Sequence, residues 1–148
     1  MAELTRKEVI MLINGSGKPR LAGVDLSSEN LIRLDFEDAN LRGANLQAAK
    51  MNEAIMRNTN MTGVDMTGTQ APYADFHKSL LIAGNLTLAN LNGARLTEAN
   101  LTNAILNGAN LNGANLKGAE VTGVKFDEAT IWPDGKKGSS GSPTSYTK

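Results

Sequence analysis

Residues 89–118 read ANLNG ARLTE ANLTN AILNG ANLNG ANLKG, a run of five-residue blocks in a single register. Each block holds a small residue, a polar residue, a large apolar residue and then two small or polar ones, often ending in Gly. Outward from this stretch, every fifth residue from Leu21 to Ile131 is apolar, through Leu41, Met61, Ala71, Leu81, Leu101, Val121 and Phe126 among others. A second column, mostly Ala, stands two residues before each large one. A period of five fits neither a helix at about 3.6 nor a strand at 2, so the unit turns a corner once per repeat. The chain therefore reads as a coil of very short strands.

The pattern A(D/N)LXX resembles the pentapeptide-repeat family. Ala39-Asn40-Leu41-Arg42-Gly43 and Ala109-Asn110-Leu111-Asn112-Gly113 carry the resemblance, and the same register holds over about three quarters of the chain. It implies an all-β solenoid, a right-handed quadrilateral parallel β-helix with four pentapeptides per coil. It implies little about function, because members bind other macromolecules or have no assigned role. The segment Trp132-Pro133-Asp134-Gly135 is similar to the ending of small cyanobacterial members.

With 148 residues and one repeat array, the chain has room for a single domain able to bury a core of its own. No cysteine is present, which removes disulfides, thiolate metal sites and cysteine nucleophiles. Fifteen Lys and Arg balance fifteen Asp and Glu, so no global field draws in nucleic acid or an anionic membrane. The apolar run Val9 to Ile13 is too short for a leader core or a membrane span, and a cytoplasmic location is expected.

Three segments are expected: residues 1–20 as an N-terminal capping helix and linker, 21–134 as the β-helix, and 135–148 as a disordered tail. Thr5-Arg6-Lys7-Glu8 is a capping box, which predicts a helix from Arg6 to about Asn14 ended by Gly15. That helix is read as a lid over the first coil, whose open edge would otherwise invite aggregation. With twenty residues per coil the large residues form four inward stacks, one of them Leu31, Met51, Ala71, Leu91, Leu111 and Ile131. Gly at the second corner position, as in Gly43, Gly93 and Gly113, suits a type II turn. Corners with Arg33, Asp38, Glu53, Tyr73, Lys78, Leu88 or Glu98 there are expected to take a different turn. After Ile131, Trp132 is large enough to cover the open last coil, and Gly135 to Lys148 lack apolar residues to bury.

Nothing in the repeat builds a concave catalytic site, so no enzyme activity, cofactor or metal site is expected. His77, the single histidine, reads as an exposed, solvated side chain. The repeat-position residues Asp25, Asp35, Asp65 and Asp75 read, like the Asn residues they replace, as partners of local backbone. Met51, Met56, Met61 and Met66 fill one coil and read as flexible packing beside the small Ala71 rather than as soft-metal ligands. Thr59, Thr69 and Ser79 in the Ala column make residues 51–80 the least regular part of the rod.

The remaining signal is apolar residues at outward positions: Leu80, Ile82, Leu88 and Ile105. They are the candidate protein-binding patch of a rigid, non-catalytic, monomeric scaffold with an unidentified protein partner. The resemblance also offers a DNA-mimic that inhibits or protects DNA gyrase. Mixed charges count against that reading, since Asp35, Glu37, Asp38, Asp75 and Glu98 share a face with Arg57, Lys78, Arg95 and Lys117, whereas a mimic must reproduce phosphate charge. Binding to nucleic acid directly would need a basic stripe with aromatics, which is missing.

Overall fold

The computed structural model describes residues 2–148. Its regular part is built of isolated parallel bridges that join residue n to residue n + 20. Four ladders result. Face 1 carries Arg20, Asn40, Asn60, Leu80, Asn100 and Glu120; face 2 carries Asp25, Asn45, Asp65, Asn85, Ile105 and Lys125. Face 3 carries Asn30, Lys50, Gln70, Asn90, Asn110 and Ile131, and face 4 carries Asp35, Ile55, Asp75, Arg95 and Asn115. Adjacent rungs of a parallel ladder lie about 4.8 Å apart.

The residue after each bridge points inward, and with the Ala column it forms one continuous core from Leu21 to Trp132. Met51, Met56, Met61 and Met66 are wholly buried there, as is Ala71. Where Thr replaces Ala, its hydroxyl is kept satisfied: Thr59 Oγ1 donates to the Met56 carbonyl at 2.7 Å and Thr69 Oγ1 to that of Leu46 at 2.6 Å. Ser79 Oγ is buried without a partner, so this coil holds the core's least compensated polar atom.

Most corners close with a bond from the residue three after the large one, as in Ala44 N to Leu41 O at 3.0 Å. The second corner residue has positive φ whether or not it is Gly: Gly43 has φ 65°, and Arg33, Glu53, Tyr73 and Leu88 have φ 60°, 57°, 59° and 58°. The expectation of a different turn at the non-Gly corners is therefore corrected. The ladders on both sides fix the corner, and the side chain accepts the left-handed conformation at about 1 to 2 kcal/mol each.

The polar column has one local task. The Oδ1 of the Asn or Asp on a bridge accepts the amide two residues on, as in Asp65 to Thr67 at 3.0 Å and Asn100 to Thr102 at 3.0 Å. That amide turns outward at the corner and has no ladder partner. The side chain supplies one, which is why Asn and Asp recur at this position.

At the N-terminal end, α1 runs Arg6–Ser16 rather than stopping at Asn14. The capping box forms, with Glu8 N donating to Thr5 Oγ1 at 3.3 Å and Thr5 N to Glu8 Oε1 at 3.2 Å. Gly17, at φ 65°, ends the helix in place of Gly15. Val9 is buried in the core. The bare edge of the first coil is met by hydrogen bonds: Glu3 N donates to Asp25 O at 2.7 Å, and Glu3 Oε1 accepts from Asp25 N at 3.2 Å. The Arg6 guanidinium donates to Asn30 O at 2.9 Å and Ile32 O at 3.0 Å.

At the other end the register slips by one. Asn110 bridges Ile131, not residue 130, so Ile131 takes a bridge position and Trp132 the inward one. The expected stack ending in Ile131 is corrected to end in Trp132, which is fully buried. The extra residue lies in the turn of Asp127 to Thr130, where Asp127 Oδ1 accepts the Gly108 amide at 3.0 Å, a bond that main-chain carbonyls accept at the other corners. Thr130 Oγ1 donates to Leu106 O at 2.7 Å and tightens the widened corner.

Residues 135–148 are folded, which corrects the expected disorder. Trp132 N donates to Lys136 O at 2.8 Å and Gly138 N to Thr130 O at 2.9 Å, an antiparallel addition to face 3. The Trp132 indole donates to Gly138 O at 2.8 Å, and Tyr146 stacks on Trp132 with ring centroids 5.8 Å apart. Phe126 meets the same indole edge-on at 5.1 Å. Glycines make the fold-back feasible, because any Cβ at Gly141 would run into the indole.

Candidate interaction surface

Leu80 lies on the face 1 ladder between Asn60 and Asn100, and Ile82 follows it at the corner leading to face 2. Ile105 lies on face 2, one coil further on, between Asn85 and Lys125. These three thus surround one edge of the rod. Leu88 is set apart on the next edge, between faces 2 and 3, at φ 58°. Leu80 is 38% exposed and Leu88 62%, while Ile82 and Ile105 are half-buried.

Leu80 and Ile105 stand where Asn or Asp usually accepts the amide two residues on. Among the described residues no side chain caps the amides of Ile82 or Asn107, so each substitution forgoes a bond worth about 0.5–1.5 kcal/mol. Ile55 on face 4 makes the same exchange. Leu88 carries the left-handed strain of its corner, and its Cδ2 lies over Gly108, 2.7 Å from where a Cβ would stand. Outward apolarity at these positions is therefore not what the fold itself prefers.

Sequence reasoning read Tyr73 only as a corner residue, and at 65% it is the most exposed large apolar side chain among the described residues. It occupies the corner between faces 3 and 4, and its ring lies along the rod over Gly93. The usable signal was a Gly twenty residues after an aromatic, which clears the space the ring occupies. On the N-terminal helix, Met11 is also exposed.

Some of the charges on the rod pair between neighbouring coils. Arg33 and Glu53 approach to 3.3 Å, Arg95 and Asp75 to 3.4 Å, Lys78 and Glu98 to 3.7 Å, and Arg57 and Asp75 to 3.8 Å. Asp65 is held below the usual carboxylate range: burial works against this, but bonds from the Thr67 amide and hydroxyl and from Gln47 outweigh it. His77, expected to be solvated, is instead half-buried, with Nδ1 2.7 Å from Thr97 Oγ1. Among the described residues no group of three or more His, Cys, Asp and Glu is placed to hold a metal, and no helix is long and apolar enough to cross a membrane.

A family model described as pentapeptide repeats matches residues 20–58, 59–97 and 94–132. No curated protein matches the chain. Among solved structures, the chain is similar to a pentapeptide repeat protein, Rfr23, from the cyanobacterium Cyanothece 51142. That similarity has a TM-score of 0.78 and 26% identity and spans 83% of this chain and 96% of the other. HetL from Nostoc sp. strain PCC 7120, involved in regulating heterocyst differentiation, is 26% identical over 81% of this chain and 62% of its own, with a TM-score of 0.36. QnrB1, a plasmid-mediated fluoroquinolone resistance protein, is 23% identical over 75% and 57%, with a TM-score of 0.43.

Proposed function

This chain belongs to the pentapeptide-repeat family, and from that premise we propose that it is a rigid, non-catalytic scaffold that binds another protein through the side of its rod. Family membership and the twenty-residue ladder support a right-handed quadrilateral β-helix, with α1 as a lid on the first coil. The carrying observation is that Leu80 and Ile105 replace the residues that cap the corner amides, and Leu88 sits where the backbone favours Gly. All three give up fold stability to place apolar surface outward. Burying such side chains on a partner stabilises a complex by roughly 1.5–3 kcal/mol each when burial is complete. The protein is read as a cytoplasmic monomer without cofactor.

A gyrase-directed DNA mimic is the lesser reading, since Asp75 and Glu98 on face 4 and its corner are matched by Arg57, Arg95 and Lys78. Affinity capture from the source cells, followed by mass spectrometry, tests the proposal. The double variant Leu80→Asn/Ile82→Thr carries the residues that neighbouring coils use and is expected to fold. It should lose a partner that the unchanged protein retains. Equal recovery of every partner by both proteins would reject the patch, and strong inhibition of DNA supercoiling by the unchanged protein would favour the mimic.

A further inference from the structure

At the corner between faces 4 and 1, a groove of about 360 Å³ is lined by His77, Arg95, Thr97, Glu98, Lys117 and Gly118. Arg95 Nε donates to Thr97 Oγ1 at 3.1 Å, and His77 Nδ1 lies 2.7 Å from the same oxygen. When His77 Nδ1 carries its proton, both ring and guanidinium donate to Thr97, and the threonine hydroxyl proton is left to donate into the groove. Arg95 keeps a second guanidinium nitrogen beyond the one that meets Asp75 at 3.4 Å. The Lys117 ammonium has no partner among the described residues. The acids nearby are already engaged, Glu98 with Lys78 at 3.7 Å and Asp75 with both Arg57 and Arg95.

We propose that this groove binds a phosphate-class oxyanion, with Arg95, Lys117 and the Thr97 hydroxyl as donors. The one remaining guanidinium nitrogen of Arg95, an ammonium and a hydroxyl lining one concavity match the acceptor-only surface of a tetrahedral dianion. His77 does not touch the anion. It is a positioning residue, and the bound anion selects the tautomer in which its Nδ1–H donates to Thr97. This site lies on the edge between faces 4 and 1 and is separate from the corner carrying Ile82, so it stands or falls independently of the protein-binding patch.

The test is a ¹⁵N NMR titration of the full chain with inorganic phosphate, and in parallel with O-phosphoserine, against sodium chloride at matched ionic strength. Saturable shifts at the Thr97, Lys117 and Gly118 amides are expected, with the His77 ring nitrogens moving to the Nδ1–H pattern. Tighter binding of O-phosphoserine would identify a monoester as the source, and tighter binding of inorganic phosphate the free anion. Arg95→Gln/Lys117→Gln should weaken binding at least tenfold, while Lys50→Gln on face 3 should leave it unchanged. Thr97→Val, which keeps the side-chain shape, provides a second reading and should weaken it severalfold. Non-saturating shifts, equal shifts with chloride, or unchanged affinity in the double variant would overturn the site.

Discussion

The two ends of the rod close by different means. At the N-terminal end a capped helix buries Val9, and Glu3 and Arg6 place charged groups on the bare backbone of the first coil. At the C-terminal end a tail poor in apolar residues turns back on face 3, and one indole, fully buried, joins it to the core. The first closure is shared among several residues that bond the first coil, and the second depends on a single large side chain with one stacked partner. Stability at the C-terminal end is accordingly concentrated in Trp132, and at the N-terminal end it is distributed.

That contrast breaks most readily at Trp132. Trp132→Ala should destabilise the protein by about 3–5 kcal/mol, the usual range for emptying a buried aromatic site. Chemical denaturation of the variant checks this, and a loss under about 1 kcal/mol would mean the tail holds without the indole. Deleting residues 1–18 comes next. It removes Val9, worth roughly 1.5–3 kcal/mol when buried, and frees the first-coil edge, so a lower melting temperature and self-association in size-exclusion chromatography are expected. A truncated protein that stays monomeric with an unchanged melting temperature would refute the lid.

How legible each end was follows from the same difference. Thr5 and Glu8 lie three residues apart, so their capping box could be read directly, and only the last turn of α1 was misjudged because Gly15 can remain helical when Gly17 supplies the left-handed cap. The inward column could be followed through Phe126. It failed at Ile131 because Ile131 and Trp132 are both large and apolar, and a one-residue widening between Asp127 and Thr130 is satisfied equally by either. Only the side-chain bonds of Asp127 and Thr130 decide between them. The tail was misread because composition registers apolar content, whereas its order comes from backbone bonds and the Tyr146 stack. Along the sides, register correctly placed Leu80, Ile82, Leu88 and Ile105 outward. Tyr73 holds the same corner position as Leu88, with φ 59° against 58°, but was read there only for its turn.

The regular coils between the ends sharpen the comparison with smaller effects. Ala83 has φ 55° at a corner and is exposed, so Ala83→Gly should stabilise by about 0.5–1 kcal/mol, reversing the usual sign for Gly. A melting temperature that falls would show that the corners are less constrained than described. Acid should act weakly, in part through the C-terminal corner. Asp127 is held below its ordinary value of 3.8, chiefly by the Gly108 amide and against some desolvation, with the Ala129 and Thr130 bonds adding to the effect. A depressed carboxylate pKa stabilises the fold above 3.8 and loses that contribution as pH falls below it. Asp127→Asn, which can still accept the amide, should flatten this decline in melting curves taken between neutral pH and pH about 3.

With both ends closed by segments of the chain itself, the proposed partner surface falls on the sides of the rod, and this rests on Trp132 being sealed beneath the tail. Trp132 is the only tryptophan, so its fluorescence reports on that one place. The account predicts blue-shifted emission in the folded protein and resistance to quenching by acrylamide, both lost on deleting residues 135–148. Emission typical of water-exposed indole, fully quenched while the repeat ladders remain folded, would contradict it.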